Sequence, residues 1–160
     1  PQPQAINQER KITMKSLLTV VTTLMLALAI TPAQAESMSA EGQWRTIDDE
    51  TGEAKSLVRV WVEDGELQGQ IVELLNPSEP NPVCSECKGS RKDQPIEGMT
   101  FLWGLERDGD EWDGGRILDP SNGKEYSAKA KVIENGTKLE VRGFLGFALI
   151  GRTQVWERVE

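Results

Sequence analysis

Histidine is absent from all 160 residues. Its absence removes the usual general base, the usual activator of a nucleophile and the commonest transition-metal ligand. Histidine-dependent triads and zinc hydrolase sites are therefore excluded, and no metal or cofactor is expected. Basic residues are in deficit, with 18 Lys and Arg against 26 Asp and Glu. Binding phosphates relies on basic patches that release counterions, so nucleic acid and anionic lipid faces are excluded as partners. Internal repeats, low-complexity segments and long stretches of 3.6-residue periodicity are missing as well, which argues against helical and repeat architectures.

The one long apolar run comes early. Met14-Lys15 is a short positive region, Leu17 to Ile30 is apolar apart from its threonines, and Thr31-Pro32-Ala33-Gln34-Ala35 has the small-x-small pattern of a cleavage site. A membrane anchor needs about 20 apolar residues, and this run is shorter. The pattern predicts a cleaved signal peptide over Met14–Ala35, preceded by an upstream extension, and a single folded domain over residues 36–160. No cysteine follows the apolar run to accept a lipid, so the expected product is exported and soluble, without a membrane span. The first 35 residues hold Arg10, Lys11 and Lys15 against Glu9, which leaves 15 basic and 25 acidic residues and a net charge of −10 in the remaining 125. That length is enough to bury a core.

The rest of the chain reads as short strands. Val58, Val60 and Val62 alternate with Leu57, Arg59 and Trp61, giving one apolar and one mixed face. Asp64-Gly65 and Asn135-Gly136 are hairpin signals, and Asp119-Pro120-Ser121-Asn122-Gly123 is a turn. Phe101, Trp103 and Leu105 share one predicted face; so do Trp112, Gly114, Arg116 and Leu118. Tyr126, Ala128, Ala130 and Val132 oppose Ser127, Lys129 and Lys131. Residues 76–95 break the rhythm with Pro77, Pro80, Pro82 and Pro95, and read as a long excursion over the surface or across a barrel mouth. Gly143 to Gly151 is almost wholly apolar, in the manner of a bent buried strand, a helical turn or a lid. Strands of this length between turns indicate an all-β antiparallel sandwich or barrel of about eight strands.

Within that pattern Gly42 and Trp44 begin the first strand, and Arg158 lies in the last. If those strands are neighbours, Trp44 sits under the Arg158 guanidinium and plugs one end of a closed sheet, a contact of roughly 0.5–2 kcal/mol. This pairing resembles the calycins, the lipocalin-like barrels.

Several residues are candidates for chemistry. Cys84-Ser85-Glu86-Cys87 suits a disulfide that pins the proline-rich loop, a redox pair or, with acidic neighbours, a metal site. A ring so small contributes about 2 kcal/mol. Asp108, Asp110 and Asp113 depart from the calcium-loop spacing and suit a solvated hairpin, and Asp113 with Asp119 is a weak carboxylate pair. Arg116, on a predicted apolar face, must find an anion. It is expected in the lumen with Trp103 and Tyr126, receiving the charged end of an amphipathic ligand. Arg59 and Trp61 are further ligand candidates, while Arg142 and Arg152 lie on ambiguous faces.

Taken together, Gly42-x-Trp44, Val83-Cys84-x-x-Cys87-Lys88-Gly89, Lys92-Asp93-Gln94-Pro95-Ile96-x-Gly98-Met99, Asp113-Gly114-Gly115-Arg116-Ile117-Leu118-Asp119-Pro120, Val141-Arg142-Gly143-Phe144-x-Gly146 and Gly151-Arg152-Thr153-Gln154-x-Trp156-x-Arg158 resemble the domain-of-unknown-function family 2147 of exported bacterial proteins. The resemblance implies a lipocalin-like barrel and a periplasmic location, and no reaction. The expected function is non-enzymatic binding of a small amphipathic or hydrophobic molecule. The alternative is a structural or interaction protein of the envelope with a filled barrel, for which Phe144, Leu145 and Phe147 would form a contact patch.

Overall fold

A computed structural model describes residues 38–146 and 150–159. The expected signal segment and Phe147 lie outside the described residues. Eight strands follow in order: β1 (Gly42–Ile47), β2 (Ala54–Glu63), β3 (Glu66–Leu74), β4 (Thr100–Asp108), β5 (Glu111–Asp119), β6 (Lys124–Ile133), β7 (Lys138–Phe144) and β8 (Gly151–Val159). Each pairs antiparallel with the next, and β1 pairs with β8. The sheet closes into a barrel, which removes both edges.

Local sequence explains the tight ends. Asp64 and Gly65 both adopt positive φ between β2 and β3, as a two-residue hairpin matched to strand twist requires. Valine alternation on β2 turns Val58 and Val60 inward, where both are buried, and leaves Arg59 exposed. Trp44, Leu67, Leu102, Leu105, Leu139 and Trp156 are fully buried with them. Burying a side chain of this kind contributes about 1.5–3 kcal/mol.

Three register shifts overturn the expected faces, two on β4 and one on β5. Trp112 pairs with Ala130 while Gly115 pairs with Ala128, so three steps on β5 match two on β6. Gly114 absorbs the extra residue at φ 80°, a conformation that costs glycine little. Downstream of it the alternation is inverted: Ile117 faces in, Arg116 faces out. On β4, Gly69 pairs with Leu102 but Gln70 with Thr100. Phe101 is the extra residue there, and Trp103 turns outward opposite Arg116.

Candidate ligand cavity at the barrel mouth

The strand order sends four of the seven connections to one end of the barrel and three to the other. At one end Trp44 and Arg158 form a plug. The Arg158 guanidinium carbon stands 4.1 Å from the centre of the Trp44 ring. Its Nε donates to Gly136 O at 2.6 Å, Nη1 to Glu41 O at 2.9 Å and Nη2 to Ser39 O at 2.6 Å. Burial pushes its pKa down from the ordinary arginine value. Trp44 Nε1 donates to Ala40 O at 2.9 Å. A Cβ on Gly42 would stand 2.6 Å from Arg158 Nη1, which is why the residue two before the tryptophan has no side chain. The expected closure by Gly42, Trp44 and Arg158 is present.

The other end opens into a cavity of about 830 Å³. Its wall is mainly apolar, with Ile71, Phe101, Ile117, Tyr126, Val141 and Trp156 among the lining residues. Phe101 and Trp156 form its aromatic floor, with ring centres 5.8 Å apart. Phe144, Leu145 and Ile150 carry the apolar surface up to the rim. Polar groups on the wall are few. Thr46 Oγ1 and Ser56 Oγ lie 2.8 Å apart on β1 and β2, and Ser56 N donates to Thr46 Oγ1 at 3.1 Å. Trp156 Nε1 donates to Gln154 Oε1 at 3.0 Å.

The charges among the lining residues sit in the mouth loops or beside them, and each is engaged. Arg152 Nε donates to Asp49 Oδ1, and Arg152 Nη2 pairs with Asp48, Asp49 and Glu50. Asp48 accepts from the backbone N–H of Thr51 at 2.9 Å and from that of Glu50 at 3.0 Å. Those bonds, the Thr51 backbone first, hold its carboxyl below the ordinary 3.8. The Arg152 side-chain hydrogen bond does the same for Asp49. Lys55 lies 4.0 Å from Asp48 Oδ2. Asp119 accepts from Ser121 N at 2.9 Å and from Asn122 Nδ2 at 2.8 Å.

The long connection between β3 and β4 is strapped over the outer wall beside the mouth. Cys84 N donates to Gln94 O at 2.9 Å and Ile96 N to Pro82 O at 3.0 Å, a short ribbon whose Ile96 reaches the cavity lining. Cys84 and Cys87 are buried at disulfide distance, S–S 1.99 Å, and Cys84 Sγ lies 3.3 Å from the Pro120 carbonyl oxygen. Arg91 stacks over Trp103 at 4.3 Å and reaches Glu125 Oε1 at 2.8 Å. Arg116 meets the same Glu125 at 3.8 Å.

These positions correct the expected lumen set. Trp103 meets the strap outside the barrel and Arg116 lies on the same outer wall against Glu125, because the β4 and β5 bulges invert their faces. The Arg116 side chain is 47% exposed. Arg59 and Trp61 form an outer pair, 5.8 Å from guanidinium to ring, since the apolar face of β2 is its valines. Tyr126 does line the cavity. Asp110 pairs with Lys131 at 2.6 Å as a hairpin residue. Asp113 and Asp119 lie six residues apart on one strand, roughly 20 Å at the usual rise, too far for a carboxylate pair.

The family described as "Uncharacterized protein conserved in bacteria (DUF2147)" matches residues 42–158. The chain belongs to the DUF2147 family. A solved structure, protein HP1028 from the human pathogen Helicobacter pylori, described as belonging to the lipocalin family, resembles this DUF2147 barrel with a TM-score of 0.67. Sequence identity is 18%, over 77% of this chain and 84% of that one. The likeness establishes a lipocalin-like fold. No curated protein matches the sequence.

Residue-by-residue reading of the DUF2147 sequence overlooked Gln154, Thr46 and Ser56 as cavity residues. Gln154 had a usable signal: it stands two residues before Trp156, so a closing strand that buries the tryptophan must turn the glutamine inward too.

Proposed function

We propose that this protein is an exported, non-enzymatic barrel that holds a small amphipathic or hydrophobic molecule at its mouth. The cavity carries the reading: about 830 Å³ of mainly apolar space lies within the range of small-molecule sites, roughly 300–1,000 Å³. The lipocalin-like fold supports it. The engagement of Asp48, Lys55, Asp119 and Arg152 within the mouth loops supports binding over catalysis, because none is poised as a free acid or base. Periplasmic location is part of the proposal and rests on the Met14–Ala35 segment.

Native mass spectrometry of protein released gently from the periplasm tests all parts. The expected result is a chain beginning at Glu36 that carries a small molecule released on denaturation. A cytoplasmic chain with Met14–Ala35 intact sinks the export reading. An apo mass, together with failure to bind neutral hydrophobic dyes, sinks the binding reading.

A second reading draws on the rim, where Leu145 is 55% and Ile150 74% exposed. Exposed apolar residues at one edge suit a protein contact. A stoichiometric complex that is lost on Leu145→Ser/Ile150→Ser, with the cavity empty throughout, would favour that alternative.

A further inference from the structure

We propose that Gln154 reads the polar end of the bound molecule, and that this end is an uncharged hydrogen-bond acceptor such as an amide, ester or ketone carbonyl. The inference rests on the binding reading above and supplies its ligand class. It starts from the indole of Trp156, which is fully buried and meets the Phe101 ring at a tilt of 34°. An indole N–H donates and never accepts. The bond of 3.0 Å to Gln154 therefore requires the carboxamide oxygen to face the tryptophan, a case in which chemistry fixes the amide orientation. The –NH₂ is directed away from the indole. Gln154 lines the cavity, and among the described residues its two N–H groups have no protein acceptor.

Depth and charge then select the ligand. Gln154 stands three residues inside Gly151, the first residue of β8, or about 10 Å below the strand's end. One side-chain step deeper, where the β1 register carries Thr46 opposite Trp156, the lining polar groups are the Thr46 and Ser56 hydroxyls, neutral and bonded to each other. The cations among the lining residues, Lys55 and Arg152, are at the rim and already paired, Lys55 with Asp48 and Arg152 with three carboxylates. A carboxylate carried down to Gln154 would be desolvated without a free countercharge, which disfavours it strongly. An alkane passing there would strip water from the amide donors and leave them unpaired. A neutral carbonyl satisfies both conditions.

The test compares decanamide, methyl decanoate and decanoate at pH 8, each displacing the neutral dye N-phenyl-1-naphthylamine from the folded barrel. The expected order has both neutral compounds at least about tenfold tighter than the carboxylate, the size of one well-placed hydrogen bond. Gln154→Met is uncharged and close in size, keeps a weakly accepting sulfur near the Trp156 N–H and removes the donors; near-ultraviolet circular dichroism reads whether the fold persists. In this variant the two carbonyl compounds weaken about tenfold while dye affinity holds. Equal binding of decanoate and decanamide, or an unchanged affinity for both carbonyl compounds in Gln154→Met, overturns the inference and leaves the barrel a binder. Failure of the dye and all three compounds to bind overturns both.

Discussion

The two ends of the barrel are built from the same eight strands to opposite purposes. At the Arg158 end the hairpins are short, and one guanidinium meets three carbonyl oxygens and a tryptophan face. At the mouth, longer connections meet over a cavity of about 830 Å³, and apolar side chains stay exposed at the rim. Stabilising contacts concentrated at one end permit the other to remain unfilled, a division common where binding loops ride on a rigid scaffold.

The strongest way to break that division is Trp44→Ala. Removing a fully buried tryptophan costs about 3–5 kcal/mol, so thermal denaturation should show a large loss of stability, and a barrel of unchanged stability would refute the plug. Arg158→Leu should cost less, about 2–3 kcal/mol, by stranding three carbonyls and removing the cation from the ring. A double-mutant cycle with Trp44→Phe should reveal coupling between the two sites.

At the mouth, reducing the Cys84–Cys87 bridge is expected to cost at most about 2 kcal/mol. Its sharper signature is weaker dye binding with the far-ultraviolet spectrum preserved, since the bridge holds the strap and not the barrel. Acid should act on the same end. Asp48 and Asp49 have folded values below the ordinary 3.8. The stabilisation they supply is therefore complete above that value and declines as pH falls through the lower folded values. Amide resonances of residues 48–53 should shift below about pH 4 while those around Gly136 stay still. Simultaneous movement at both ends would contradict the comparison.

Arg116→Ala is expected to do least. Its contact with Glu125 spans 3.8 Å between exposed side chains, and pairs of that kind are worth roughly 0–1 kcal/mol. Dye affinity should be unchanged. A large loss would return Arg116 to the ligand site.

Much of this architecture was legible in the residues. Valine alternation on β2, the Asp64-Gly65 turn and the Gly42-Trp44-Arg158 set announce an antiparallel barrel and its plugged end, because each reflects a local rule of period, turn chemistry or close approach. The cavity was less legible. Strict alternation put Arg116 and Trp103 inside, and it fails once Gly114 and Phe101 add a residue to their strands. Tyr126 was placed correctly because β6 carries no bulge beside it: Ser127 through Ile133 pair with β7 residue for residue.

What the sequence determined by itself is the set of strands, the closing pair and the exclusion of histidine chemistry, all of which follow from composition and from neighbours a few residues apart. What tertiary structure alone decided is which side of the wall each charge occupies. A bulge shifts register by one residue, and with a side-chain period of two that single step exchanges lumen for surface. The arginine that looked like a ligand anchor therefore lies on the outer wall beside Glu125, and an unremarked glutamine faces the cavity.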